Sequence, residues 1–393
     1  CRICVVEIAG QKNLRPSCNT RVANGMVVRT NTPRVIEARK TILELIFARH
    51  SQDCLHCSRN GHCELQDIAA EYDIRSYEYD TDPRNLPLDM SSPAIIRDPN
   101  KCILCGRCIE VCNSIQTVNA LGYAFRGYDS LVMPSMGLDL GESPCVMCGQ
   151  CIHACPVGAI SEREQLDSLL AAASDPNKII VTQIAPAIRV AIAEELGLVT
   201  GELPMEQLVT ALRRAGIHYV LHTNFTADLT IMEEGNELLK RVKQGGVLPM
   251  VTSCCPSWIR FAETFYPNCL DHLSTCKSPQ QMFGALVKTY WAEQMDIDPA
   301  RIYSVSIMPC TAKKYEAQRP EMEDSGYRDV DLVLTTREIV RLFKMMGIDP
   351  VKCEPSGFDP WMSEYSGAAV LFGTTGGVME AALRTVYEVV SGD

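Results

Sequence analysis

The stretch CILCGRCIEVC (102–112) returns as CVMCGQCIHAC (145–155), and this repeat decides how the first half of the chain is read. Each copy spaces four thiols as C-x2-C-x2-C-x3-C. That spacing wraps a peptide around a 4Fe-4S cluster, with the fourth Cys of each run serving the other cluster. One cluster is expected on Cys102, Cys105, Cys108 and Cys155, the other on Cys145, Cys148, Cys151 and Cys112. Pro156 closes the second run, whereas Asn113 stands at the matching place in the first. A zinc ribbon, made from two C-x2-C pairs, leaves no use for the other thiols.

Upstream, His50, Cys54, Cys57 and Cys63 read H-x3-C-x2-C-x5-C at the end of the periodic segment PRVIEARKTILELIFARH (33–50). The His sits one helical turn before a Cys, which predicts a His/Cys3 4Fe-4S module; an imidazole in place of a thiolate raises the cluster potential. His62 has no motif role and reads as structural. Further upstream, Cys1, Cys4 and Cys18 read C-x2-C-x13-C, followed by the β-rich RVANGMVVRT (21–30). Three thiols with an upstream fourth would hold a 2Fe-2S cluster; a three-Cys zinc site or unrelated thiols are the alternatives.

The composition limits the function. The 393 residues carry 20 Cys and a net charge of -11, so no basic surplus exists to neutralise nucleic-acid phosphates. No apolar run reaches the ~18 residues of a membrane span, and no signal peptide is visible. Closely spaced Cys in a long acidic chain indicate metal rather than disulfides, hence a reducing compartment, the cytoplasm. The chain begins at Cys1 without Met and is read as a fragment.

From Lys178 the pattern changes. Short β-rich runs (KIIVTQIAP, IHYVLHT, VLPMVTS, IYSVSIMP, VDLVLT, AAVLFGT) alternate with helical stretches such as FTADLTIMEEGNELLKRVKQ and SPQQMFGALVKTYWAEQM. This alternation predicts an α/β domain with a largely parallel sheet, its helix starts marked by Ser257, Ser278 and Thr336. SEREQLDSLLAAAS (161–174) reads as a connecting helix. The whole is a multidomain α+β and α/β chain: a partial ferredoxin-like β domain (1–32), a His/Cys3 cluster module (33–90), a bacterial two-4Fe-4S ferredoxin (91–162) and an α/β catalytic domain (176–393).

TSCCPSW (252–258) and MPCTAKKYE (308–316) resemble the first two of three signature motifs of the iron-iron hydrogenase catalytic domain. QIAPAIR (183–189) and KSPQQMFG (277–284) resemble further parts of its pocket, and the order of the cluster modules matches too. The resemblance implies reversible reduction of protons to H2 at an H-cluster, a 4Fe-4S unit joined to a diiron subsite with CO and CN ligands. It assigns Cys255 and Cys310 as cluster thiolates and Cys254 as the free thiol that first accepts the proton. Lys313 would donate to a cyanide, Gln280 and Met308 would line the pocket, and Pro186 and Ala187 would face the other cyanide. Some family members carry Ser where Ala187 stands.

Glu234 and Glu237 share one face of a predicted helix. With Ser274 their family counterparts form the proton channel, with Arg241 at its mouth; a bland amphipathic helix is the alternative. Physically, adjacent Cys254 and Cys255 point to opposite faces of an extended segment, so one can ligate while the other titrates. Lys314 reads as the solvated neighbour of Lys313. Cys269, Cys276 and Cys353 receive no role beyond that of small buried hydrophobes.

The tail FGTTGGVMEAALRTVYEVV matches the family stretch before the third motif, which supplies two more H-cluster Cys; the fragment alone is therefore expected to be inactive. The implied partners are ferredoxin, an NADH-oxidising flavoprotein subunit, and the H-cluster maturation proteins, in an anaerobic setting. No GxGxxG turn is present, so NAD chemistry would sit on another chain. A complex I-type electron-transfer subunit would explain the first 160 residues but not TSCCP or MPCTAKK. A non-catalytic assembly or sensor relative would not need the long cluster chain.

Overall fold

The computed structural model describes residues 1–75, 79, 85–199 and 201–392. They divide into two units, one of Cys1–Cys145 with Gly149–Arg163, the other of Val146–Cys148 with Glu164–Asp393. Among the described residues no helix is long and apolar enough to cross a membrane.

The first unit opens with a three-stranded antiparallel sheet in which β1 (Val5–Ile8) lies between β2 (Arg15–Pro16) and β3 (Val28–Arg29). Thr32 accepts from the Val35 N–H at 3.3 Å and Pro33 fills the first turn, which starts helix Pro33–Phe47. His50 follows the helix, its N–H still bonded to Ile46 O at 3.0 Å.

The two cysteine runs fold as copies of one another. Leu104 and Met147 are both left-handed (φ 54° and 58°), and Gly106 and Gly149 repeat this two residues later (φ 77° and 75°). Turns of this kind form backbone nests that face anions, and here they lead into helices Arg107–Glu110 and Gln150–Ala154. Strand β4 (Ile95–Arg97) precedes the first run, the hairpin of β5 (Gly122–Ala124) and β6 (Leu131–Met133) lies between the runs, and β7 (Ile160–Glu162) follows the second. β4 and β7 pair antiparallel, Arg97 opposite Ile160, extended by Asp98 N–H to Ala159 O at 2.8 Å. This ladder is why the last thiol of the second run, Cys155, comes back to the first run.

The second unit is built on a four-stranded parallel sheet in the order β11-β10-β8-β9, from β8 (Ile179–Ile184), β9 (Tyr219–His222), β10 (Ile302–Ile307) and β11 (Leu332–Leu334). Residues of β8 alternate between two cores, as strand geometry requires. Ile180 and Ile184 join Leu208, Leu212, Val305 and Phe343 in one, whereas Val181 joins Leu221, Phe283 and Trp291 in the other. Burial on both faces explains why β8 reads as a nearly continuous apolar run.

Some expected elements differ. AAVLFGT, read as a strand, lies mostly in helix Gly367–Leu371, which Ser366 caps by accepting from Ala368 N–H. VLPMVTS forms no strand; only Val251 bridges, to Leu273, because Pro249 cannot donate to a ladder. Residues 161–162 extend β7, so the connecting helix begins at Leu166. Helix Thr336–Met346 is capped by Thr335, which shares a capping box with Glu338.

Candidate functional site

In the first unit, Cys102, Cys105, Cys108 and Cys155 line one pocket with Val157 and Ile160. Burial first, then the mutual repulsion of the thiols, pushes Cys102 up to about 11 and Cys108 up to about 12. Four thiols gathered around one pocket, Cys108 and Cys155 buried, fit an iron–sulfur cluster. His50, Cys54, Cys57 and Cys63 line a second pocket. His50 is held neutral, chiefly by burial, and its Nδ1 is buried without a partner while the ring meets the backbone of Lys101. A metal-ligating His commonly carries such a backbone contact.

Among the described residues no three Cys, His, Asp or Glu side chains converge closely enough for a single metal ion. The thiols ring cavities instead, as a multi-iron cluster needs. Cys4 and Cys18 meet each other, close enough to hydrogen-bond. The remaining set is divided: Cys112, Cys145 and Cys151 belong to the first unit and Cys148 to the loop Val146–Cys148 of the second.

In parallel α/β sheets, ligands bind beyond the carboxyl ends of the strands. Pro186 and Ala187 stand exposed after β8, and buried Met308 and then Cys310 follow β10. Cys255, extended at φ -96° and ψ 108°, is the N-cap of helix Pro256–Phe265. It stands near enough to Cys310 to push that thiol up, after burial, which is the main cause. Cys254 is also pushed up, first by burial and then by Glu234, Cys255 and Glu316, against the pull of Lys313. Cys254, Cys255 and Cys310, with Lys313, therefore share one location.

Lys313 points inward, and its ammonium donates to Glu316 Oε2 at 2.8 Å, Cys254 O at 3.0 Å and Ser278 Oγ at 3.1 Å. Gln280 Nε2 donates to the same Glu316 oxygen at 3.0 Å, and its Oε1 is buried and unpaired. Lys314 is not the solvated neighbour expected. It is fully buried and paired with Glu338 at 2.8 Å, because helix Ala312–Glu316 lies on the residues of the Thr335 capping box.

Helix Thr223–Gln244 carries Glu234 and Glu237. Glu234 is 1% exposed with both oxygens unpaired in standard geometry, and burial holds its pKa above the usual carboxylate range. Ser274 and the Ser253 backbone stand close enough to moderate this. Glu237 has the opposite balance. Burial pushes it up, but the donors outweigh burial and leave it lowered: Arg241 at 2.6 Å, Ser274 Oγ at 2.9 Å and Thr275 N–H at 3.0 Å. Ser274 thus stands between a carboxyl whose pKa is raised and one whose pKa is lowered.

Other residues were given no role in the sequence, although Gln183 and Glu316 lie within QIAPAIR and MPCTAKKYE. Gln183 Nε2 donates to Gln280 O and Ser306 Oγ while its Oε1 accepts from Thr223, tying β8, β10 and two helices together. Glu316 unites Lys313 and Gln280. Gly158 lies so close to the His50 pocket that a Cβ there would stand 2.4 Å from Cys57 Sγ. Of the cysteines given no role, Cys353 is buried, Cys276 is half-buried beside Glu237, and Cys269 is exposed rather than buried.

Iron–sulfur pockets together with an α/β unit that gathers three thiols at its sheet edge define an iron–sulfur oxidoreductase. Comparison with known proteins specifies it further. Residues 178–393 match the iron only hydrogenase large subunit, C-terminal domain. Upstream, residues 1–33 match a 2Fe-2S iron-sulfur cluster binding domain, 39–77 the NADH-ubiquinone oxidoreductase-G iron-sulfur binding region, and 101–159 a 4Fe-4S dicluster domain.

The chain belongs to the iron-only hydrogenase large-subunit family. It is 46% identical to the NADP-reducing hydrogenase subunit HndD of Solidesulfovibrio fructosivorans over 100% of its own length and 68% of that protein. It is 40% identical to iron hydrogenase 1 of Clostridium pasteurianum over 99% of its length and 68% of the relative. The apo FeFe-hydrogenase HydA1 of Chlamydomonas reinhardtii superposes with a TM-score of 0.52 and 49% identity, covering 57% of this chain and 58% of that one.

Proposed function

We propose that this enzyme interconverts protons and hydrogen, 2H⁺ + 2e⁻ ⇌ H2, at a site held by Cys255 and Cys310 and faced by Cys254. The observation that carries the reading is the meeting of these thiols with Lys313, beside a buried carboxyl that leads away from Cys254. An H-cluster bound there would supply the Lewis acidity for heterolysis and would take up the two electrons that H2 releases. The chain's own residues do the rest. Cys254 accepts the proton at Sγ, Glu234 takes it in a dry setting, and Ser274 passes it to Glu237, whose carboxylate Arg241 fixes at the exit. A raised carboxyl suits a relay near neutral pH. Lys313, held by Glu316, keeps a positive charge beside anionic ligands, while Pro186, Ala187, Gln280 and Met308 form the surrounding wall.

Electrons travel through the clusters of residues 1–162, coming from ferredoxin or from an NAD(P)H-oxidising partner subunit. HndD is named as a subunit of an NADP-reducing hydrogenase, which favours a partner subunit. Maturation proteins install the diiron subsite, and the setting is the reducing cytoplasm.

The test is hydrogen evolution by the matured, anaerobic holoenzyme with reduced viologen, repeated with NADH in the presence and absence of a flavoprotein subunit. Viologen-driven hydrogen evolution supports the reading. A cluster-loaded enzyme that evolves none is an electron carrier or assembly factor instead.

A further inference from the structure

Two helices begin at the two candidate ligand thiols, Pro256–Phe265 directly after Cys255 and Ala312–Glu316 two residues after Cys310. They are joined further along their length as well as by Lys313 at Cys254 O. Arg319, one turn beyond the second helix, places Nη2 at 2.6 Å from Glu263 Oε1 and Nη1 at 3.0 Å from Glu263 Oε2, a bidentate fork across the two elements. Arg319 also reaches Tyr315 Oη at 3.3 Å, while its Nε pairs with Glu321. From the first helix, the Arg260 guanidinium lies 5.0 Å from the Tyr315 ring centre, and that of Arg319 lies 5.7 Å from it. Arg260 and Glu263 are i,i+3 neighbours on one face of the first helix, and they meet Tyr315 of the second helix and Arg319 just beyond it.

We propose that the Arg319–Glu263 fork, with the Arg260–Tyr315 stack, positions Cys255 and Cys310 for a shared cluster. Exposed ion pairs contribute little. This one is a planar fork, is 17% exposed on the Arg side chain, and is reinforced by cation–π contact. Each thiol is anchored on its upstream side, Cys310 by β10 and Cys255 by the Val251 bridge, and the fork ties together the helices on their downstream side. The quartet touches neither substrate nor proton path; its residues are positioning residues. The inference rests on reading Cys255 and Cys310 as ligands of one cluster.

The experiment uses the anaerobically purified holoenzyme and reads iron content, redox-poised EPR and far-UV circular dichroism. Arg319→Gln is expected to weaken retention of the catalytic-unit cluster about 10-fold, the scale of lost outer-shell support. It should shift that cluster's EPR signature and leave the accessory signals and the dichroism unchanged. Arg319→Lys, which keeps the charge but loses the fork, falls between. The reversed pair Glu263→Arg/Arg319→Glu recovers most of the loss. An Arg319→Gln enzyme with an unchanged catalytic cluster overturns the proposal, as does one that loses accessory clusters in proportion. Cys255→Ser is the control: if it leaves the catalytic cluster signal intact, the ligand reading has failed rather than the clamp.

Discussion

At Glu234, a carboxyl group lies buried where no donor meets it squarely, and its acidity is correspondingly weakened. A raised acid opposes folding once ionised. The penalty is absent below the ordinary carboxyl value and grows as pH rises toward the folded one. Glu234→Gln should therefore match the parent's thermal midpoint near about pH 4 and exceed it near about pH 8, while hydrogen evolution falls by about 100-fold or more. Equal midpoints at both values would mean that Glu234 is solvated. Glu237 behaves in reverse: its lowered pKa gives stability above the ordinary carboxyl value that is lost as pH falls through the folded one. Cys254→Ala is expected to retain every cluster EPR signal yet lose roughly 100-fold or more in turnover; unchanged hydrogen evolution removes Cys254 from the mechanism.

At the scale of elements, the short helix Ala312–Glu316 carries two lysines with opposite tasks. Lys313 is anchored toward the thiols, and Lys314 is sealed against Glu338 and Gln165. Breaking a buried pair strands a charge, so Lys314→Met should cost about 3–5 kcal/mol in chemical denaturation, and Lys314→Met/Glu338→Leu much less. A single variant as stable as the parent would show that the pair is hydrated. Gly158 offers a parallel case in the first unit, because a side chain there meets Cys57 Sγ. Gly158→Ala should diminish the His/Cys3 cluster signal while sparing the catalytic one; an unaltered accessory EPR spectrum contradicts this. The sequence made the Cys runs, β8 and β10 legible because thiol spacing and two-sided apolar runs are local signals. It hid the burial of Lys314, since the partner that explains it lies 24 residues away. The helix within AAVLFGT stayed hidden too, because a short apolar run fits either state until its Ser366 cap is seen.

Across the whole molecule, two units divide the work. The first is a cysteine-stapled set of small sheets and turns. The antiparallel pairing of β4 with β7 returns Cys155 to the pocket of Cys102, Cys105 and Cys108. The second is a parallel sheet whose carboxyl edge presents the residues of four separate motifs, far apart in sequence and legible only because each carries its own pattern. Gln183 and Glu316 lie within two of those motifs, but the contacts by which they bind the motifs to one another, like the Arg319 fork, emerge only in three dimensions. The central claim is that Cys255 and Cys310 hold one iron cluster with Cys254 at its open side. Anomalous diffraction at the iron edge from crystals of the holoenzyme tests this most directly. The account predicts iron bonded to the sulfurs of Cys255 and Cys310, with the Cys254 sulfur near but unbonded. Iron confined to the pockets of residues 1–162, with these three sulfurs bare, would contradict it.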